Sequence, residues 1–79
     1  MWSEGVIQVT DESGRKSNVR YSVKHFEEPS EWGIDGGRIS KLNLKVGTDD
    51  IANYDRGWDV LPESYEAQFA FAILMNEYN

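Results

Sequence analysis

The sequence predicts an α+β fold: an antiparallel sheet of four strands, three at the least, with one C-terminal helix packed on one face, in the order ββββα. Three observations predict it. Residues 19–25 and 42–46 alternate apolar and polar side chains with the two-residue period of a strand that buries one face. Polar, glycine-containing segments punctuate the chain at hairpin spacing. The final stretch contains no glycine and repeats its apolar residues at helical spacing.

In chain order, residues 2–10 contain Val6, Ile7 and Val9 and predict the first strand, with a weaker face preference than the next. Asp11-Glu12-Ser13-Gly14-Arg15-Lys16 is polar, and Gly14 can take positive φ, so a hairpin turn follows. In the second strand Val19, Tyr21, Val23 and His25 share one face, and Asn18, Arg20, Ser22 and Lys24 the other. Residues 27–37 form a longer loop around Trp32. Leu42, Leu44 and Val46, alternating with Lys41, Asn43 and Lys45, make the third strand. Gly47-Thr48-Asp49-Asp50 is a second turn, residues 51–55 a short fourth strand, and residues 56–62 an irregular link. Residues 63–78 then predict the helix, with Pro62 at or near its first position, where a missing N–H is harmless. Glu63 and Glu66 in the first turn complement the helix dipole.

An antiparallel pairing of the second and third strands sets Val23 opposite Leu42, Tyr21 opposite Leu44 and Val19 opposite Val46 on the buried face. The same register brings Lys24 to Lys41 and Arg20 to Lys45 on the other face, and like charges so placed need relief from a neighbouring strand. Pairing Ile7 with Tyr21 supplies some, setting Glu4 beside Lys24, Gln8 beside Arg20 and Trp2 beside Phe26. Ile39 then joins Trp2 and Phe26 in an apolar end of the outer face, opposed to a basic end. On the helix, Ala67, Ala70, Phe71, Leu74 and Tyr78 form the stripe that faces the sheet. Tyr65, Phe69 and Ile73 form a second line on the far side, which docking on one sheet does not use.

Seventy-nine residues suit a single domain, 1–79. No run of residues is apolar over the roughly 18–20 positions a membrane span requires, and the first residues lack the basic and apolar regions of a signal peptide. The chain has no cysteine, which removes disulfides, thiolate metal sites and a cysteine nucleophile. A cytoplasmic location is the expectation, with no membrane attachment. The net charge of −6 disfavours non-specific binding to nucleic acid or anionic lipid.

Few segments look chemical. Gly33-Ile34-Asp35-Gly36-Gly37 matches neither the P-loop nor the dinucleotide fingerprint, and a strand follows it instead of a helix. It reads as a turn. Asn53-Tyr54-Asp55-Arg56-Gly57-Trp58-Asp59 is denser, with carboxylates, an arginine and two aromatics that would suit a recognition site. Its plainer reading is a strand exit in which Gly57 permits the turn, Asp55 or Asp59 pairs with Arg56, and Trp58 packs over a core edge. His25, the sole histidine, lies on the apolar face and reads as a half-buried, hydrogen-bonded residue. Among 14 carboxylates an accidental acidic pair means little, and no calcium-loop spacing occurs. Neither a metal nor a cofactor is expected, and the chain is read as non-enzymatic.

Two segments resemble a known family: residues 28–42, Glu-Pro-Ser-Glu-Trp-Gly-Ile-Asp-Gly-Gly-Arg-Ile-Ser-Lys-Leu, and residues 53–59. With Met1, Trp2 and Gly5 they resemble a small family of proteins of unknown function from Gram-positive bacteria and their phages. The resemblance implies a bacterial or phage, cytoplasmic origin and carries no activity or functional residue. Phe69, Phe71 and Met75 of the helix lie outside it.

The leading functional expectation is a protein-interaction domain whose partner is another protein, a second copy of the chain included. It rests on apolar groups surplus to one sheet–helix contact: Tyr65, Phe69 and Ile73, the Trp2, Phe26 and Ile39 end, and the loop tryptophans Trp32 and Trp58. Asp55, Arg56 and Asp59 complete the candidate interaction set. The alternative is nucleic-acid contact through Arg20, Lys24, Lys41 and Lys45, because all eight basic residues lie between Arg15 and Arg56. An acidic nucleic-acid mimic and a small-molecule enzyme around His25 and Asp55 rank below these.

Overall fold

Asp11 closes the first hairpin. Its carboxylate accepts hydrogen bonds from the Ser13 amide (3.0 Å), the Ser13 hydroxyl (2.6 Å) and the Arg15 amide (2.9 Å). Gly14 takes φ +85°, the left-handed conformation the turn requires. In the computed structural model, which describes residues 1–79, this turn joins β1 (Trp2–Thr10) to β2 (Lys16–His25). A long connection with a short 3-10 turn at Ile34–Gly36 leads to β3 (Ile39–Val46). Two tighter turns follow, to β4 (Asp49–Asp55) and β5 (Trp58–Val60), and the chain ends in α1 (Tyr65–Tyr78).

The five strands form one antiparallel sheet in chain order, β1-β2-β3-β4-β5, and α1 packs on one face. Consecutive antiparallel neighbours are what short connections between amphipathic strands dictate. Val9, Val19, Val23, Leu42, Leu44, Ala52 and Tyr54 from the strands are buried with Ala70 and Leu74 of the helix in a single core. The helix stripe Ala67, Ala70, Phe71, Leu74 and Tyr78 is buried or half-buried, as its spacing predicts.

Several expectations are corrected. The sheet has a fifth strand, β5, inside the segment read as irregular; it is three residues long, too short to show a period. The helix begins at Tyr65, later than read. Ser64 is its N-cap, and its hydroxyl accepts from the Ala67 amide at 3.2 Å, so Pro62 and Glu63 precede the helix. The pairing of β2 with β3 sets Val23 opposite Leu42 and Tyr21 opposite Leu44, as read. The first hairpin instead pairs Ile7 with Val19, Glu4 with Ser22 and Trp2 with Lys24, two residues from the expected register. A shift of two preserves the faces, so the burial pattern of β1 survives the error.

Candidate functional site

Ile39 does not join the outer apolar end: it is fully buried in the core. The reason is a β-bulge. Lys24 pairs with Lys41, but His25 pairs with Ile39, so Ser40 is an extra residue in β3 and the side chain before it turns inward. Ser40 is itself nearly buried and donates its hydroxyl to the Lys24 carbonyl at 3.4 Å. Trp2 and Phe26 remain exposed, at 54% and 46%. Trp2 sits opposite Lys24 and not Phe26, and Phe26 lies beyond the end of β2.

The loop after β2 does fold over the sheet, but it does not bury its tryptophan. The Tyr54 hydroxyl donates to the Trp32 carbonyl at 3.0 Å, fixing the loop backbone, while Trp32 itself is 58% exposed. At the loop's foot, Asn79 holds both of its sides. Its Oδ1 accepts from the Ile39 amide at 2.9 Å and its Nδ2 donates to the Ile34 carbonyl at 3.2 Å. The result is a groove of about 290 Å³ lined by Phe26 and Trp32 together with Lys24, Lys41 and Arg56. The Lys24 ammonium stands 5.6 Å from the Phe26 ring centroid, a cation–π contact.

Arg56 reaches this groove because it, and not Gly57, adopts the left-handed backbone of the β4–β5 turn, φ 56°. Its amide donates to the Ser40 carbonyl at 3.1 Å. Asp55 is the shared counter-ion, 3.8 Å from Arg56 Nε and 3.8 Å from Lys41 Nζ. Asp59 is exposed on β5. Trp58 packs inward, as the plainer reading of its segment has it. Its ring stands 5.1 Å from Tyr54 and 5.4 Å from Phe71, both edge-on, which ties β5 to the helix.

On the outer sheet face Arg20 pairs with Lys45 and Lys24 with Lys41, as expected. Relief comes from β4 and not from Glu4. Lys45 Nζ lies 3.7 Å from Asp50, and Lys41 lies beside Asp55. Glu4 instead accepts from the Ser22 hydroxyl, at a long 3.5 Å.

His25 is half-buried. Its Nε2 lies 2.9 Å from Ser3 Oγ and its ring tilts against Tyr78, centroids 4.6 Å apart. Burial first, then the Met1 ammonium and Arg38, push its pKa below the ordinary 6.5. No cluster of three histidine or carboxylate groups is placed to hold a metal ion.

The helix line Tyr65, Phe69 and Ile73 faces away from the sheet, exposed at 50%, 43% and 36%. The Tyr65 and Phe69 rings lie against each other, centroids 6.1 Å apart. Leu61, just before the helix, is also exposed. The structure therefore gathers two sets of candidates: Phe26, Trp32, Asp55 and Arg56 at the groove, and Tyr65, Phe69 and Ile73 on the helix. It takes Ile39 into the core and Trp58 half into it. Val6 is exposed as well; the weak face preference of β1 hides it in the sequence, and its alternation with Glu4 and Gln8 is the one signal for it.

No helix is long and apolar enough to cross a membrane. No curated protein and no solved structure matches the chain. The model of a domain of unknown function, DUF7678, matches residues 1–79, and the chain belongs to that family.

Proposed function

We propose that this is a non-enzymatic protein-interaction domain that meets its partner through the far face of α1. One observation carries the reading: Tyr65, Phe69 and Ile73 stay substantially exposed although the core beneath the helix is closed by Ala67, Ala70 and Leu74. Aromatic and branched side chains held on a rigid helix bind at low entropic cost, and such anchors concentrate interface energy. A bacterial or phage origin and a cytoplasmic setting belong to the same proposal, on the resemblance of residues 28–42 and 53–59.

Photo-crosslinking tests it. A photoreactive phenylalanine analogue at Phe69, in cells that carry the chain, should give a discrete adduct of fixed mass. The same analogue at exposed Lys16 should not, and Ile73→Lys should abolish the Phe69 adduct. No adduct, or the same pattern from both positions, contradicts the reading.

The second reading, nucleic-acid contact, draws support from the groove, where Phe26 and Trp32 offer stacking surfaces beside Lys24, Lys41 and Arg56. It is the lesser one, because Asp55 and Asp50 already stand against three of the cations on this face and its margin. It requires a labelled single strand to shift at low salt and to be released steeply as salt rises.

A further inference from the structure

β1 is an open edge. Met1 and His25 exchange both backbone hydrogen bonds, at 2.9 and 3.2 Å, and the β1–β2 register then runs unbroken from Trp2–Lys24 to Thr10–Lys16. In an antiparallel ladder the residues that bond inward alternate with those whose N–H and C=O point away. The odd-numbered residues of β1 therefore bond to β2. Trp2, Glu4, Val6, Gln8 and Thr10 turn their backbone groups to the free side, and all five are exposed.

Natural sheets protect such edges with short strands, lysine, proline or bulges. The opposite edge follows that practice: β5 has three residues, carries Asp59 and pairs through a register shift. β1 has nine residues, no lysine, no proline and no bulge, and Glu4 is its sole charge. Two of its outward side chains are Trp2 and Val6, 54% and 60% exposed.

We propose that β1 pairs antiparallel with β1 of a second copy, joining two five-stranded sheets into one continuous sheet about a two-fold axis at Val6. The strand is complementary to itself in this register. It is the one centre that overlaps all nine residues. Val6 meets Val6, Trp2 meets Thr10, and Glu4 meets the neutral Gln8, so no like charges face each other. On the inner face Ile7 meets Gly5 of the second copy, over which the Tyr21 ring lies, and Val9 meets Ser3. The five outward-facing residues of each copy all exchange backbone bonds with the other. This surface is distinct from the far face of α1, so either reading can fail while the other stands.

Sedimentation at increasing concentration, with residue-resolved amide exchange, tests the proposal. The wild-type chain should reach twice its 9.1 kDa mass, with the Glu4, Val6 and Gln8 amides slowed in step. Val6→Lys sets two ammonium groups face to face at the axis on an exposed position, and should sediment as a single chain with its circular dichroism unchanged. Charge reversal reads the register: Gln8→Glu sets a carboxylate opposite Glu4 at two symmetric points and should weaken the dimer severalfold, and Gln8→Lys should tighten it severalfold. A wild-type chain that stays monomeric at millimolar concentration overturns the proposal. So does a dimer that survives Val6→Lys, or one abolished by Phe69→Gln with Ile73→Gln and untouched by Val6→Lys.

Discussion

At Gly5 a missing side chain makes room for a ring. Gly5 pairs with Tyr21, and a Cβ built on it would lie 2.7 Å from the Tyr21 hydroxyl and 2.8 Å from two ring carbons. Gly5→Ala therefore displaces the ring, at a cost of about 1–3 kcal/mol, the usual range for overpacking. Urea denaturation should show that loss in the unfolding free energy, and an unchanged value would mean that Tyr21 moves aside freely. His25 gives a second prediction at this scale. Its folded-state pKa lies below 6.5, so the unfolded chain binds the proton more readily. The resulting stability is complete above 6.5 and is lost as pH falls toward the folded-state value. An NMR titration of the His25 ring should place its midpoint below 6.5, and the urea midpoint should decline as pH drops from about 7 to about 5. A titration midpoint at or above 6.5 contradicts the desolvated environment. His25 was legible as a half-buried, bonded group because it continued the Val19, Tyr21, Val23 alternation. Its partner, Ser3, lies opposite Val23 and reaches His25 on the diagonal, a contact that alternation along one strand does not specify.

Among the elements, alternation revealed those long enough to show a period and missed those that depend on an irregularity. β2, β3 and the packed stripe of α1 follow from periods of two and 3.6. β5 is three residues and borrows its place from the Trp58 ring between Tyr54 and Phe71. The bulge at Ser40 reverses Ile39, and nothing in the local pattern announces a bulge, because it is set by where the preceding loop must go. That loop is held by Asn79, the C-cap of α1. Asn79→Ala strips the partner from the Ile39 amide and one of two from the Ile34 carbonyl, which keeps the Gly37 amide at 2.9 Å. An unsatisfied buried group costs about 1–3 kcal/mol. The fold should survive, with amide exchange at Ile39 and through the 33–37 turn accelerated more than in β2. Uniform acceleration along the chain would mean that Asn79 supports global stability and does not tether this loop.

For the whole molecule, the question is whether its exposed apolar groups belong to an unfinished core or to a contact surface. The core closes without them: its strand and helix contributors are buried almost completely, and no buried side-chain polar atom lacks a partner. Trp58 shows that the chain does draw a loop aromatic inward where it needs one. Trp32, Phe26 and the far face of α1 are left out, on both sides of the sheet–helix layer. Sequence pattern placed Tyr65, Phe69 and Ile73 on that face correctly, because a helical period fixes both faces at once. Unfolding of dilute protein carrying Phe69→Gln and Ile73→Gln together measures the distinction most directly. The free energy should stay within about 1 kcal/mol of wild type, since exposed substitutions contribute little each, while Leu74→Ala in the core costs about 2–5 kcal/mol. A loss from the double variant as large as that of Leu74→Ala would instead make the far face of α1 part of the domain's own core.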